Sequence, residues 1–245
     1  MDHLPAPLYR IAPSTRAKRL ALRLDPVERV FRLVVPPRCP LPHALDFADQ
    51  YEEWMQERLD ALPPLIPLRH GQVIPLCGTL TSINITLDKT LKNTSIKLIN
   101  NTLLVKTNKD NPSVRIMRWL KALARTRLME LSQEKADQIG QTIQALSVRD
   151  TKSRWGSCSA DGALSYSWRL IFAPPEAMDY VVAHEVAHLR HLDHSKAFWA
   201  LCRELSDDFF EGKYWMQAHG HELLRYVAAT DLEMSEAASV AQSSI

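Results

Sequence analysis

The sequence predicts an α+β fold in which a β-rich N-terminal region with one helix precedes a compact domain of mixed helices and strands. Three observations predict it. Short apolar/polar alternations dominate residues 1–111, and a long helical pattern begins abruptly after Asn111-Pro112. Beyond that helix, strand-like and helix-like stretches follow one another without repeat, which suits neither an all-β nor a doubly wound sheet.

Leu20, Leu22 and Leu24 alternate with Arg19, Ala21 and Arg23, and Phe31, Leu33 and Val35 alternate in the next run. Asp25-Pro26 stands between them as a turn, so the two runs predict a hairpin. Residues 43–61 predict a helix, because Ala44, Phe47, Tyr51, Trp54, Met55 and Leu59 recur at helical spacing and Pro63-Pro64 end it. Strands are predicted at 73–77, 80–85, 96–99 and 103–106, with Asn100-Asn101 as the tight turn between the last two. The long helix spans 113 to about Gly140, and a strand at 143–148 and a polar loop at 149–161 follow it. A strand over Ala163–Phe172 leads to Pro174-Pro175, which suits the first turn of a further helix. Ser195 is a good N-cap for the next helix, to about Leu205, and a last element covers Gly212–Tyr226. The resulting division is 1–111, 112–228 and a loose tail at 229–245, rich in Ala, Ser and acidic residues.

Bulk properties narrow the function. Of the 245 residues, 46% are apolar and 24% charged, and the net charge is +2, which gives no bulk electrostatic case for nucleic acid or a membrane surface. Cys39, Cys77, Cys158 and Cys202 show no C-x-x-C spacing, which argues against a disulfide framework or a cysteine-built zinc knot. No secretory leader is visible near Met1, and no apolar run approaches the roughly 20 residues of a membrane span. The expectation is a soluble, reduced, cytoplasmic chain.

The chemistry concentrates in Val181-Val182-Ala183-His184-Glu185-Val186-Ala187-His188. Residues four apart share one face of a helix, so His184 and His188 can reach a single ion, and zinc takes neutral imidazole nitrogens at about 2.0–2.1 Å. Glu185, next to the first ligand, can serve as general base toward a water that zinc acidifies to a pKa of about 7. Merely exposed or hydrogen-bonded histidines are the plainer reading, but the apolar surroundings of the motif imply burial, where unpaired polar groups are costly. His194, His191 and Glu204 all offer a third ligand. His194 is favoured, because a helix ending near Leu192-Asp193 lets the chain turn and present it from a second direction. Metzincins share this histidine spacing but place glycine where His191 stands, and no glycine lies between His188 and His194.

Around the motif, Thr151-Lys152-Ser153-Arg154-Trp155-Gly156-Ser157-Cys158-Ser159 precedes it, and His194-Ser195-Lys196-Ala197-Phe198-Trp199 follows it. With Gly162, Ala173-Pro174 and Tyr180, this order resembles the YgjP-like metallopeptidase family and, more distantly, the SprT-like zinc proteases. The match covers roughly 140–226; Asp193 in place of an expected asparagine and the C-terminal extension depart from it. The resemblance implies a zincin-type catalytic core with Zn2+ as cofactor. It also implies a strand edge above the metal helix where a peptide can pair, for which Ala163–Leu170 is the candidate. Arg154 and Tyr180 are candidate substrate or oxyanion contacts, with a loop-shaping salt bridge and packing as their plainer roles. Trp155 and Cys158 read as packing residues, and His219 and His221 as solvent-facing.

The favoured function is a zinc metallohydrolase, most simply a metallopeptidase acting on peptide or protein. A nucleoside triphosphate pyrophosphohydrolase is the alternative, with Lys152 and Arg154 as phosphate contacts in the absence of a Gly-rich loop. A non-enzymatic zinc-stabilised module is the third reading, disfavoured because no fourth protein ligand is evident. Arg115, Arg118, Lys121, Arg125 and Arg127 give the long helix a basic face, so nucleic acid is a weaker partner candidate beside a plain solvated face.

Overall fold

The computed structural model describes residues 8–230, and the predicted tail lies outside them except for Ala229 and Thr230. The chain runs β1 (Tyr9–Pro13), β2 (Ala21–Asp25), β3 (Val30–Val35), α1 (Leu41–Asp49), α2 (Glu52–Asp60), β4 (Ile66–Leu68), β5 (Val73–Leu76), β6 (Thr79–Leu87), β7 (Ser95–Ile99) and β8 (Thr102–Thr107). It continues through α3 (Ser113–Gln138), β9 (Ala145–Arg149), β10 (Gly156–Cys158), β11 (Ala163–Ser167), α4 (Pro175–Ala187), α5 (Lys196–Leu205), α6 (Phe209–His219) and β12 (Tyr226–Ala228). Single 3-10 helices cover Trp168–Phe172 and Gly220–Arg225. The α+β class predicted from the sequence is the one observed.

The chain divides into two compact units between Leu65 and Ile66. In the first, β3 pairs antiparallel with β2 and parallel with β1, an edge strand that the sequence reading did not place. Leu33 and Val35 pack on Ala44 and Ala48 of α1. The helix predicted over 43–61 is two, because Tyr51 leaves helical geometry (φ −112°, ψ 14°), with its ring set against Phe47 at 5.0 Å and Trp54 at 6.2 Å.

The second unit holds a four-stranded sheet, order β5-β6-β8-β7, and a three-stranded sheet, order β10-β11-β9, together with the parallel pair β4–β12. Asn100 and Asn101 take φ of 46° and 58°, the left-handed pair that a two-residue hairpin turn requires. Ile116, Leu120, Ala124 and Leu128 recur every fourth residue along α3 and are fully buried. They join one core with Leu68, Ile74, Leu76, Ile83, Leu103 and Val105. The strands from 66 to 107 therefore share a unit with α3 and the motif helix, whereas the sequence reading placed a boundary at residue 111.

Two buried cations tie this unit together. Lys135 on α3 reaches Asp179 of α4 and the carbonyl of Leu205 at the end of α5, each at 2.5 Å. Arg169, 2% exposed, donates to Asp150 and to the Tyr226 carbonyl. Burial opposes ionisation of Asp150, yet Arg169 and Lys121 hold its carboxyl below the ordinary value.

Helices α4 and α6 meet most closely at Gly212, where a Cβ would strike the Glu176 carbonyl oxygen and Cβ of Tyr180. Neither obstacle is the flexible end of a side chain, so the helices must separate to admit a methyl group. Gly212→Ala should lower stability by about 2 kcal/mol despite alanine's better helix propensity. A urea unfolding midpoint at or above that of the parent would contradict this packing.

Candidate active site

Helix α4 opens on Pro174-Pro175 and is buried along Ala177, Met178, Val181, Val182, Val186 and Ala187. This burial leaves the imidazoles of His184 and His188 on one face, one turn apart, with ring centroids 5.1 Å apart. The α-helix ends at Ala187, earlier than the predicted Leu192-Asp193, and Leu189, Arg190 and His191 donate back to Val186 and Ala187 carbonyls. That tightened exit reverses the chain. The Asp193 side chain accepts from the Ser195 backbone N–H, and His194 returns to α4.

His184 Nε2 and His194 Nε2 stand 3.3 Å apart. Two nitrogens bound at about 2.0–2.1 Å in a tetrahedral shell are separated by about 3.3–3.4 Å. One ligand atom from each of His184, His188 and His194 lies within 4.8 Å of the others, the one such group with metal-ligating potential among the described residues. His188 Nδ1 lies 2.9 Å from the His191 carbonyl, so it carries the proton, and Nε2 keeps its lone pair for an ion. Burial first, then the neighbouring charges of His188, His194 and Lys213, push His184 down to about 4. Burial likewise lowers His188 against the opposing pull of the His191 carbonyl. Both are then neutral at pH 7, which is the ligating form of imidazole. Donor type, spacing and protonation all fit a zinc ion.

The three rings are arranged about one benzyl group. Phe198, fully buried in the first turn of α5, lies 5.0 Å from His184, 4.5 Å from His188 and 4.7 Å from His194, centroid to centroid. The Ser195 hydroxyl caps α5 by accepting from the Phe198 N–H at 3.4 Å, so the residue after His194 also places this ring. Trp199 borders His184 and His194, each at 5.6 Å, and Lys213 Nζ of α6 stands 4.8 Å from the Trp199 ring centre. The sequence reading assigned no role to Phe198, Trp199 or Lys213; the regular aromatic spacing of α5 reads equally well as core.

Glu185 is 6% exposed and lies on α4 beside β10. A Cβ on Gly156 would fall 2.5 Å from Glu185 Cγ and 2.5 Å from Oε1, so this glycine is what lets the strand approach the carboxylate. Burial pushes Glu185 up to about 7, with the Arg154 charge pulling the other way. A cation at the histidines would lower it from there.

Other predicted residues fall as follows. Arg154 is exposed, and Tyr180 is half-buried, its ring 5.3 Å from Phe209 and 6.2 Å from His184. The side chains of His191 and Glu204 are not in the histidine group, and His191 contributes its carbonyl instead. His219 is exposed and paired with Glu222 at 3.0 Å. The four cysteines are free.

One expectation is corrected. The strand predicted over Ala163–Phe172 ends at Ser167, and Trp168–Phe172 is a 3-10 helix. Ala163–Ser167 is the central strand of its sheet, hydrogen-bonded to β9 on one side and β10 on the other, so it offers no edge to a peptide. The edges are β9 and β10; β10, the one against Glu185, has three residues, too few for alternation to reveal.

A family model described as "YgjP-like, metallopeptidase domain" matches residues 18–219. The chain belongs to the YgjP-like metallopeptidase family. It is therefore assigned as a metal-dependent hydrolase of peptide bonds at the level of the family. Among solved structures, the crystal structure of the metallopeptidase zymogen of Pyrococcus abyssi abylysin is 21% identical and covers 38% of this chain and 95% of its own, with a TM-score of 0.34. No curated protein matches the chain. No helix among the described residues is long and apolar enough to cross a membrane.

If Phe198 orients the three imidazoles, Phe198→Leu should retain the fold yet weaken zinc binding by about tenfold. Competition against a chromophoric chelator measures this, with circular dichroism as the control for folding. Unchanged affinity in a folded variant would remove Phe198 from that role.

Proposed function

We propose that this metallopeptidase is zinc-dependent, with His184, His188 and His194 as the metal ligands and Glu185 as the general base. The observation that carries the reading is the convergence of three imidazoles, those of His184, His188 and His194, beside the buried Glu185 carboxylate. Three protein ligands leave the fourth position of a tetrahedral ion open, as catalytic sites require and structural sites do not. When bound, zinc supplies Lewis acidity that polarises a carbonyl and makes water a usable nucleophile at neutral pH.

The chain's own residues then supply the remaining chemistry. Glu185 accepts a proton at its carboxylate as water attacks, and delivers it to the departing amine. Its burial beside Gly156 keeps bulk water from that proton and raises its affinity, against the pull of a bound cation. A substrate in extended form can add to the free edge of β10, whose backbone N–H and C=O groups give affinity without side-chain selectivity. Arg154, exposed two residues before Gly156, would meet an anionic group of such a peptide. Burial raises the Tyr180 hydroxyl, so it remains protonated and able to donate to a developing oxyanion.

Glu185→Gln should bind zinc at parent stoichiometry while losing at least about a hundredfold in peptide turnover, since it removes the base and no ligand. His194→Ala should lose both zinc and turnover, and a chelator should abolish activity of the parent until zinc is restored. Metal analysis alongside hydrolysis of a fluorogenic peptide library reads both effects. Full activity in Glu185→Gln, or full zinc occupancy in His194→Ala, would overturn the assignment.

A further inference from the structure

We propose that the outer face of the N-terminal sheet docks the phosphate backbone of double-stranded nucleic acid, without base preference. This goes beyond the peptidase reading and does not rest on it. Strand register sets Arg10 directly opposite Arg32, and Arg32 directly opposite Arg23, so three guanidinium groups form one row straight across β1, β3 and β2. Like charges placed opposite one another weaken a sheet. Carboxylates offset that cost at two of the three positions, Arg10 and Arg32, and leave Arg23 without an ion pair among the described residues. The side chains of Arg10 and Arg32 are 67% and 58% exposed, and Arg23 is exposed as well. The apolar rows Tyr9–Phe31–Leu24 and Ile11–Leu33–Leu22 occupy the opposite face.

Neutralisation within the unit is incomplete. Asp25 pairs with Arg32 at 3.0 Å and Glu28 with Arg10 at 3.3 Å. Arg23, and Arg16, Lys18 and Arg19 in the segment leading into β2, make no ion pair among the described residues. Charge is also segregated along the chain. Residues 8–40 hold eight basic side chains against two acidic ones, whereas residues 41–65 hold one against six. A net charge of +2 over the whole protein conceals this division.

The chemistry of the face selects among anionic partners. Seven of the eight basic residues are arginine, whose planar fork matches phosphate oxygens in pairs. The neighbouring row on the same face is Ala12–Val34–Ala21, flat enough for close approach and without a large side chain to insert into a bilayer. Strands spaced about 4.8 Å apart present charge at a density that a duplex, with one phosphate per ~1.7 Å of axis, can match and scattered carboxylates cannot. No aromatic side chain lies in these rows to stack an unpaired base, so a single strand gains nothing over a duplex.

The experiment is fluorescence anisotropy of a labelled mixed-sequence duplex with the full chain, between about 50 and 200 mM salt. Arg19→Gln with Arg23→Gln should lower affinity about tenfold and reduce the log–log salt slope by about 1.8, or 0.9 per lost contact. Lysine at both positions should restore most of the slope, and zinc content should not change in either variant. Failure of the parent to bind the duplex, or equal binding by the glutamine variant, would overturn the proposal. Tighter binding of polyglutamate or of phosphatidylserine vesicles in competition would also overturn it. So would loss of binding only when Arg115, Arg118 and Arg125 on α3 are changed to glutamine.

Discussion

Three imidazoles from two separate pieces of chain must point at one place, and what they share is the ring of Phe198. His184 and His188 arrive on a rigid helix, but His194 comes from an exposed turn whose ordering costs conformational entropy. Contact with a fully buried phenyl group at 4.5–5.0 Å offsets part of that cost and aligns all three rings at once. The same turn that delivers His194 also provides Ser195, the cap that starts α5 and so places Phe198. Proposed ligand, cap and packing post are therefore consecutive steps of a single local structure. A change at any of them reaches the others.

Close backbone approach does the rest. Gly156 allows β10 to lie against Glu185, and Gly212 allows α6 to lie against the first turns of α4. On one side of the motif helix this leaves a strand edge beside Glu185, the proposed base. On the other side it leaves Tyr180, Phe209 and Trp199 in a cluster over which Lys213 is held. The charge of Lys213 favours the neutral form of His184, so α6 acts on that imidazole's protonation as well as supporting the cluster around it.

What was legible in the sequence was local. The i, i+4 histidines, the intervening glutamate, the returning His194 and the Ser195 cap follow from helix geometry and turn chemistry over a dozen residues. What was hidden depends on pairing between distant segments. The strand Ala163–Ser167 alternates like an edge strand, but nothing local announces that β10, three residues long, occupies its open side. The role of the His191 carbonyl cannot be read from a side-chain pattern, and Phe198 is indistinguishable from core by spacing alone. Composition shifts at Asn111-Pro112, where strands give way to α3, but the strands before that point bury Leu68, Ile83 and Val105 in the same core as α3. A change in periodicity marked an element boundary there. The arginine row became visible only once register aligned residues from three strands.

The central claim is a three-histidine zinc site open at its fourth position. X-ray absorption at the zinc edge tests it most directly, using the full chain loaded with one equivalent of metal. The account predicts three imidazole nitrogens and one further light scatterer, all at about 2.0–2.1 Å, with no sulfur. A scatterer at about 2.3 Å would bring a cysteine such as Cys158 or Cys202 into the shell. That result, or a shell with only two imidazoles, would contradict it.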